Sequence, residues 1–166
     1  MGVRSGLEGL RIFMANGLRI VLLGELRVSS GKTDLPLPAS RKARALLAFL
    51  TATRRPHRRE RLCELLWDLP DDPKAALRWS LSKLRQVIDS SDRTRIVADR
   101  ERVALDTTDI ETDIHAIRHH LRDRVTVIPA SELENMALQL DRVLLDGLDG
   151  AGDTSFGPWL TAERAD

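Results

Sequence analysis

Apolar residues recur at helical spacing along residues 74–88, KAALRWSLSKLRQVI. At about 100° per residue, Leu77, Leu81, Leu84 and Ile88 fall within one narrow stripe suited to a core. Arg78, Trp79, Ser82, Arg85 and Gln86 fan over the opposite side, with Lys74 and Lys83 at its flanks. Asp72 can cap the first turn, and Pro73 suits the first helical position, where a missing N–H is not needed. The pattern predicts a helix of roughly four to five turns with an apolar back and a cationic front.

The same reading extends along the chain. Residues 18–28, LRIVLLGELRV, are branched and aliphatic with partial alternation and predict a strand with an irregularity at Gly24. SSGKT is a turn, and the two prolines of DLPLP favour a short extended piece at a sheet edge. Ser40 caps a helix over RKARALLAFLTATRR, whose apolar face is Ala43, Leu46, Leu47 and Leu50; Pro56 ends it. RRERLCELLW, residues 58–67, predicts a second helix with Leu62, Leu65 and Leu66 inward, and LPDDP connects it to the third. RIVAD and RVALD flank a turn at Arg100–Glu101 and predict a β-hairpin. Residues 109–121 read as helical, VTVIPA as a break, ELENMALQLDRVLL as an amphipathic helix, and the tail as glycine-rich and then helical.

A strand pair, three helices and a hairpin, in that order, predict an α+β fold, a winged helix-turn-helix. The expected organisation is a flexible leader over residues 1–17, a winged-helix domain over 18–107 and an all-α fragment over 108–166. In such a fold the third helix must hold the core on its inner face and fit the DNA major groove with its outer one.

Charge sharpens this picture. The net charge of +1 over 166 residues is uninformative, but its distribution is not. Residues 36–105 hold 16 basic and 9 acidic side chains, whereas residues 106–166 hold 5 basic and 13 acidic. A basic compact region is the footprint of nucleic-acid binding, and the acidic tail suggests a separate unit that stays off the phosphates. Apolar residues make up 42% of the chain, enough for a core. Cys63 is the single cysteine, which excludes an intrachain disulfide and a cysteine-rich zinc site and fits a reducing cytoplasm. No apolar run approaches the roughly 18 residues of a membrane span, and the N-terminus lacks a signal-peptide pattern.

Rival chemistry finds little support. GKT follows a strand, but the first glycine of a phosphate-binding loop would stand where Leu26 is, and the prolines cannot open its helix. His115 and His119 have metal-ligand spacing, with His120 and Asp113 nearby, yet a solvated helix face is the ordinary reading of such a pair. Cys63 reads as a partly buried inert thiol. No nucleophile elbow, HExxH or dinucleotide fingerprint is present, so neither an enzyme nor a cofactor is expected. Trp67 and Trp159 read as packing residues. Trp79, nearly opposite the leucine stripe, is divided evenly between packing and DNA contact.

SRKARALLAFL, RRERLCELLW, ALRWSLSKLRQVI and RIVADRERVALD, in this order and spacing, resemble the winged-helix domain of the Streptomyces antibiotic regulatory protein family. ALQLDRVLLDGL and FGPWLTAERAD look like the opening of the bacterial transcriptional activation domain that follows it in that family. The hairpin departs from the family pattern, with Asp99, Arg100, Glu101 and Arg102 where a glycine–aromatic tip is common, and residues 109–118 lack an aromatic. The resemblance implies a transcriptional activator that binds direct repeats as a side-by-side homodimer and contacts RNA polymerase. It also implies the N-terminal part of a longer regulator, or a short member without the effector repeats.

The function expected is sequence-specific binding of double-stranded DNA. Base contacts are expected from Arg78, Ser82 and Gln86, with Lys74, Arg85 and Trp79 as further candidates. Backbone contacts are expected from Arg41, Lys42, Arg44, His57, Arg58, Arg59 and Lys83, and minor-groove contacts from Arg100 and Arg102. The alternative is a helix-turn-helix-shaped protein-interaction module that has lost DNA binding.

Overall fold

The computed structural model describes residues 17–68, 72–122 and 128–166; the expected leader up to residue 16, residues 69–71 of the LPDDP connection and the first half of the VTVIPA break lie outside them. The first segment is not one strand. β1 (Leu18–Val21) and β3 (Arg27–Ser30) run antiparallel, Leu18 facing Ser30 and Val21 facing Arg27. Between them the chain reverses around β2 (Gly24–Glu25), with Gly24 at φ +92°, a left-handed conformation that glycine adopts without a side-chain penalty. Leu22, Leu23 and Leu26 stay buried on either side of Gly24 and the exposed Glu25, so apolar residues resume at once after the reversal and conceal it. A second hairpin turns at Gly31 into β4 (Thr33–Leu35).

Three helices follow. α1 (Arg41–Thr53) starts where Ser40 Oγ accepts from the Ala43 amide at 3.2 Å. It ends at Arg54, in the left-handed region at φ 48°, two residues before Pro56. Every residue from Ala45 to Ala52 is buried, more than the single face expected, because neighbours cover both sides of the helix. α2 (Arg59–Leu66) buries Leu62, Leu65 and Leu66. α3 (Pro73–Ile88) is capped by Asp72, whose carboxylate accepts from the Ala75 amide at 3.0 Å. The predicted stripe Leu77, Leu81, Leu84 and Ile88 is buried, joined by Ser80.

A small sheet of order β5-β7-β6 stands beside these helices, made of β5 (His57–Arg58), β6 (Ile96–Ala98) and β7 (Arg102–Leu105). The hairpin tip needs no glycine, since Asp99 Oδ1 accepts from the amides of Glu101 and Arg102, both at 2.7 Å. These bonds favour the charged form and hold the Asp99 carboxyl below its usual range.

Residues 109–121 begin as a strand, not as a helix. β8 (Ile110–Thr112) joins the first sheet parallel to β1, giving the order β4-β3-β1-β8. Only then does α4 (Asp113–Arg122) start. Asp113 is buried, and its carboxylate accepts from the amides of Leu22, Leu23 and Ile114 at 2.8–3.1 Å. It thereby ties the β1–β3 reversal to the start of α4. The helix expected over ELENMALQLDRVLL is α5 (Ala130–Leu140), and the last part of that run is β9 (Leu144–Asp146), which pairs with β2. α6 (Phe156–Ala165) closes the chain.

The acidic half does not stand apart. One buried cluster contains Leu18 and Ile20 of β1, Leu46 of α1, Leu65 of α2, Ile117 of α4 and Phe156 of α6. The Trp159 ring meets Phe49 of α1 edge-on at 4.9 Å and Phe156 at 5.2 Å. A Cβ built on Gly152 would lie 2.8 Å from the Leu65 carbonyl oxygen and would also collide with Phe156 Cβ. Among the described residues no helix is long and apolar enough to cross a membrane.

Two glycines in the last segment should therefore respond differently to alanine. Gly152→Ala would push the segment off α2, costing about 1–3 kcal/mol as an overpacked contact. Gly157 is in the first turn of α6, where nothing beyond its chain neighbours and the local helix backbone comes within 4 Å of an added Cβ. Gly157→Ala should change stability by less than about 1 kcal/mol, because the gain in helix propensity is opposed by the clash of a Cβ with the Pro158 ring that follows it. Thermal melts of the two variants check the difference.

Candidate nucleic-acid interface

The outer face of α3 is built by helical spacing alone. With the leucine stripe turned inward, Arg78, Trp79, Ser82 and Gln86 are exposed on the other side, and Lys74 is exposed in the first turn. Lys83 leans over Trp79, its Nζ 5.8 Å from the ring centroid. Arg85 is turned away from this group. It donates to the Ile96 carbonyl at 3.4 Å and lies 4.0 Å from the Asp89 carboxylate, so it links α3 to the hairpin.

The hairpin brings further cations to the same place. A cleft of about 540 Å³ is lined by Arg59 of α2, Lys74 and Arg78 of α3 and Arg100 of the hairpin tip, with Glu60 and Asp99 as its acidic members. Residues 41 positions apart in sequence meet here because α2 is bound to the hairpin. The Arg59 amide donates to the Glu101 carbonyl and Arg59 Nε to the Asp99 carbonyl, both at 2.8 Å. Arg58 and Arg102 face each other across β5 and β7, both exposed. Like charges directly opposite destabilise a strand pair, and an anion between them would remove the penalty.

Four expected backbone contacts lie elsewhere. Arg41 donates through Nη2 to the carbonyls of Gly147 and Asp149. Lys42 Nζ is held by both oxygens of Asp153 at 3.0 Å. Arg44 reaches back to the Ala39 carbonyl at 3.2 Å. The start of α1 thus meets the acidic segment after β9, which neutralises it. His57 corrects the expectation most clearly. It is buried, with its ring 4.6 Å from Phe49. Thr53 gives its hydroxyl hydrogen to the Phe49 carbonyl, so His57 Nε2 donates to Thr53 Oγ1 at 2.7 Å. Burial first, then the charges of Arg55 and Arg61, lowers its pKa. An inward neutral ring cannot neutralise a phosphate.

The residues that position the interface were not singled out in the sequence. Arg95, 4% exposed, donates to the Ile88 carbonyl at the end of α3 and forms an ion pair with Asp109 at 2.6 Å. Arg93 pairs with Asp106 and Asp109 at 3.0 and 3.1 Å. Asp89 accepts from the amides of Arg95 and Ile96 at 2.8 and 3.0 Å. The available signal was two arginines and three aspartates interleaved around the hairpin, which reads as ordinary loop charge until the fold pairs them.

His115 and His120 on α4 have partners within the protein. His115 Nε2 donates to the Thr51 carbonyl at 3.1 Å, and His120 lies 3.5 Å from Glu132. Among the described residues no three His, Cys, Asp or Glu side chains group to hold a metal. Burial raises the pKa of the Cys63 thiol, which keeps it protonated.

His57 and His115 both have pKa values lowered mainly by burial. The unfolded chain therefore takes up protons first as pH falls through about 6.5, and folding stability drops below that point. It is fully present above about 6.5, where both states are neutral at these rings. Denaturant titrations between pH 5 and 8 should show this slope (roughly the histidine range). A variant carrying His57→Gln and His115→Gln should show a flatter one.

No protein-family model matches the chain, and no curated protein matches it. Among solved structures its fold is similar to that of Mycobacterium tuberculosis EmbR, determined in complex with a low-affinity phosphopeptide. The TM-score is 0.57 at 22% sequence identity, over 89% of this chain and 42% of the other. The chain thus spans less than half the length of the protein it matches, and the likeness is one of fold.

Proposed function

We propose that the chain is a sequence-specific duplex-DNA-binding regulator in which α2 and α3 form a helix-turn-helix and the β6–β7 hairpin is its wing. The observation that carries this reading is the shared cleft. Arg59, Lys74, Arg78 and Arg100 converge beside the exposed face of a helix whose other face is in the core. A rod with one polar, cationic side and a flanking hairpin fits a duplex groove. Arg78, Ser82 and Gln86 then face base edges, where arginine can bridge guanine O6 and N7 and glutamine adenine N6 and N7. Arg58, Arg102 and Lys83 neutralise phosphates on either side.

The resemblance to the Streptomyces antibiotic regulatory proteins supports a transcriptional role. By that analogy, the protein activates through RNA polymerase from paired sites, and the helices that follow β8 open a helical activation domain. The fold likeness over 89% of the chain takes in this segment as well.

Selection of bound duplexes from a random pool, followed by salt titration, tests the reading. Affinity should fall with a log–log slope of about −0.9 for each phosphate neutralised. Arg58→Ala with Arg102→Ala should weaken all sequences alike and make the slope shallower. Arg78→Ala should cost about 1–3 kcal/mol at the selected site and relax discrimination at one base position. A salt-independent interaction, or no duplex binding at low salt, would overturn the proposal in favour of a protein-interaction module.

A further inference from the structure

Three tryptophans stand in the sequence, and two of them are used for packing. Trp67 lies half-buried against the core, and Trp159 lies between Phe49 and Phe156. Trp79 is different. It is 51% exposed and sits in the middle of α3, directly opposite the buried leucines. Its neighbours along the outward line of the helix, at spacings of four and three residues, are Ala75 and Ser82. Both are too small to shield the indole. Lys83 lies over one part of the ring as a cation at 5.8 Å, a favourable contact that leaves the rest open.

The surroundings decide what such a ring meets. No other large apolar side chain is exposed on α3, since Val97 is on the hairpin and Leu121, Leu133, Leu138, Leu140 and Val143 are in the second half. A protein-binding face has an apolar centre with charged residues kept to its rim. Here a lone aromatic is set among Arg78, Ser82, Lys83 and Gln86, so the charges are at the centre. The major groove offers a matching surface, anionic around its walls and polar along its floor, with one apolar group, the C5-methyl of thymine.

We propose that Trp79 is a specificity-determining residue that recognises a thymine through its methyl group. The inference rests on the DNA-binding reading given above, and adds a base preference to it. Arg78 and Gln86 select by hydrogen bonding; Trp79 selects an A·T pair by burying the methyl against the indole. The A·T pair is thereby oriented as well, because only one of its two bases carries the methyl.

The test replaces thymine by deoxyuridine at each position of the selected duplex in turn, which removes the methyl and leaves base pairing intact. One position should weaken binding by the intact chain about fourfold, the worth of one buried methyl group. Trp79→Ala should lose a similar or larger factor on the thymine duplex and become indifferent to deoxyuridine at that position. Its thermal melt should match that of the unaltered chain, because the ring takes no part in the core. Selective binding with no methyl-sensitive position would sink the inference and leave the DNA-binding reading standing. The same holds if Trp79→Ala keeps the full sensitivity. A Trp79→Ala variant that lowers the sedimenting mass of the free protein would assign the ring to a second copy instead. Absence of any duplex binding would overturn both.

Discussion

A single buried guanidinium joins the parts on which this structure depends. Arg95 reaches the last turn of α3 through the Ile88 carbonyl and the start of β8 through Asp109. A buried charge is tolerated only when it is paired and hydrogen-bonded, so these contacts are mutually dependent. Arg93, Asp106 and Asp89 extend the network around it. The hairpin is thereby fixed relative to α3, and β8 is delivered to the edge of β1. From that edge the second half of the chain grows. Asp113 performs a similar task at the other end of β8, where three backbone amides of two separate elements converge on one carboxylate.

The charges along the chain acquire distinct roles once folded. The excess of basic residues in 36–105 divides into two sets. Arg58, Arg59, Lys74, Arg78, Arg100 and Arg102 gather on α2, α3 and the hairpin, where few acidic groups oppose them. Arg41 and Lys42, at the start of α1, are met by the acidic segment 147–153. The acidic half is thus an internal counterion for one basic set and leaves the other open. Charge counted along the sequence cannot distinguish the two, because the distinction depends on which surfaces touch.

The elements legible in the sequence are those whose signal is local. The stripe of Leu77, Leu81, Leu84 and Ile88, the caps at Ser40 and Asp72, and the alternation on either side of Arg100–Glu101 each lie within a few turns or residues of one another. They set the three helices, the hairpin and the outward direction of Arg78, Trp79, Ser82 and Gln86. The boundaries that failed are those where two elements share one apolar run. Residues 18–28 contain a reversal flanked on both sides by buried leucines, and residues 109–121 and 132–145 each contain a strand that exists only because β1 or β2 lies beside it.

By itself, then, the sequence determined the amphipathic third helix, the order of the first three helices and the hairpin, and the residues that one helix face presents, because helical periodicity and capping act over short distances. Tertiary structure alone decided that Arg59 and Arg100 join Lys74 and Arg78 in one cleft, and that Arg85 turns to the hairpin. It also decided that His57 points inward against Phe49. Each of these depends on a partner far along the chain, and a side chain's freedom to meet a ligand is settled by what already surrounds it.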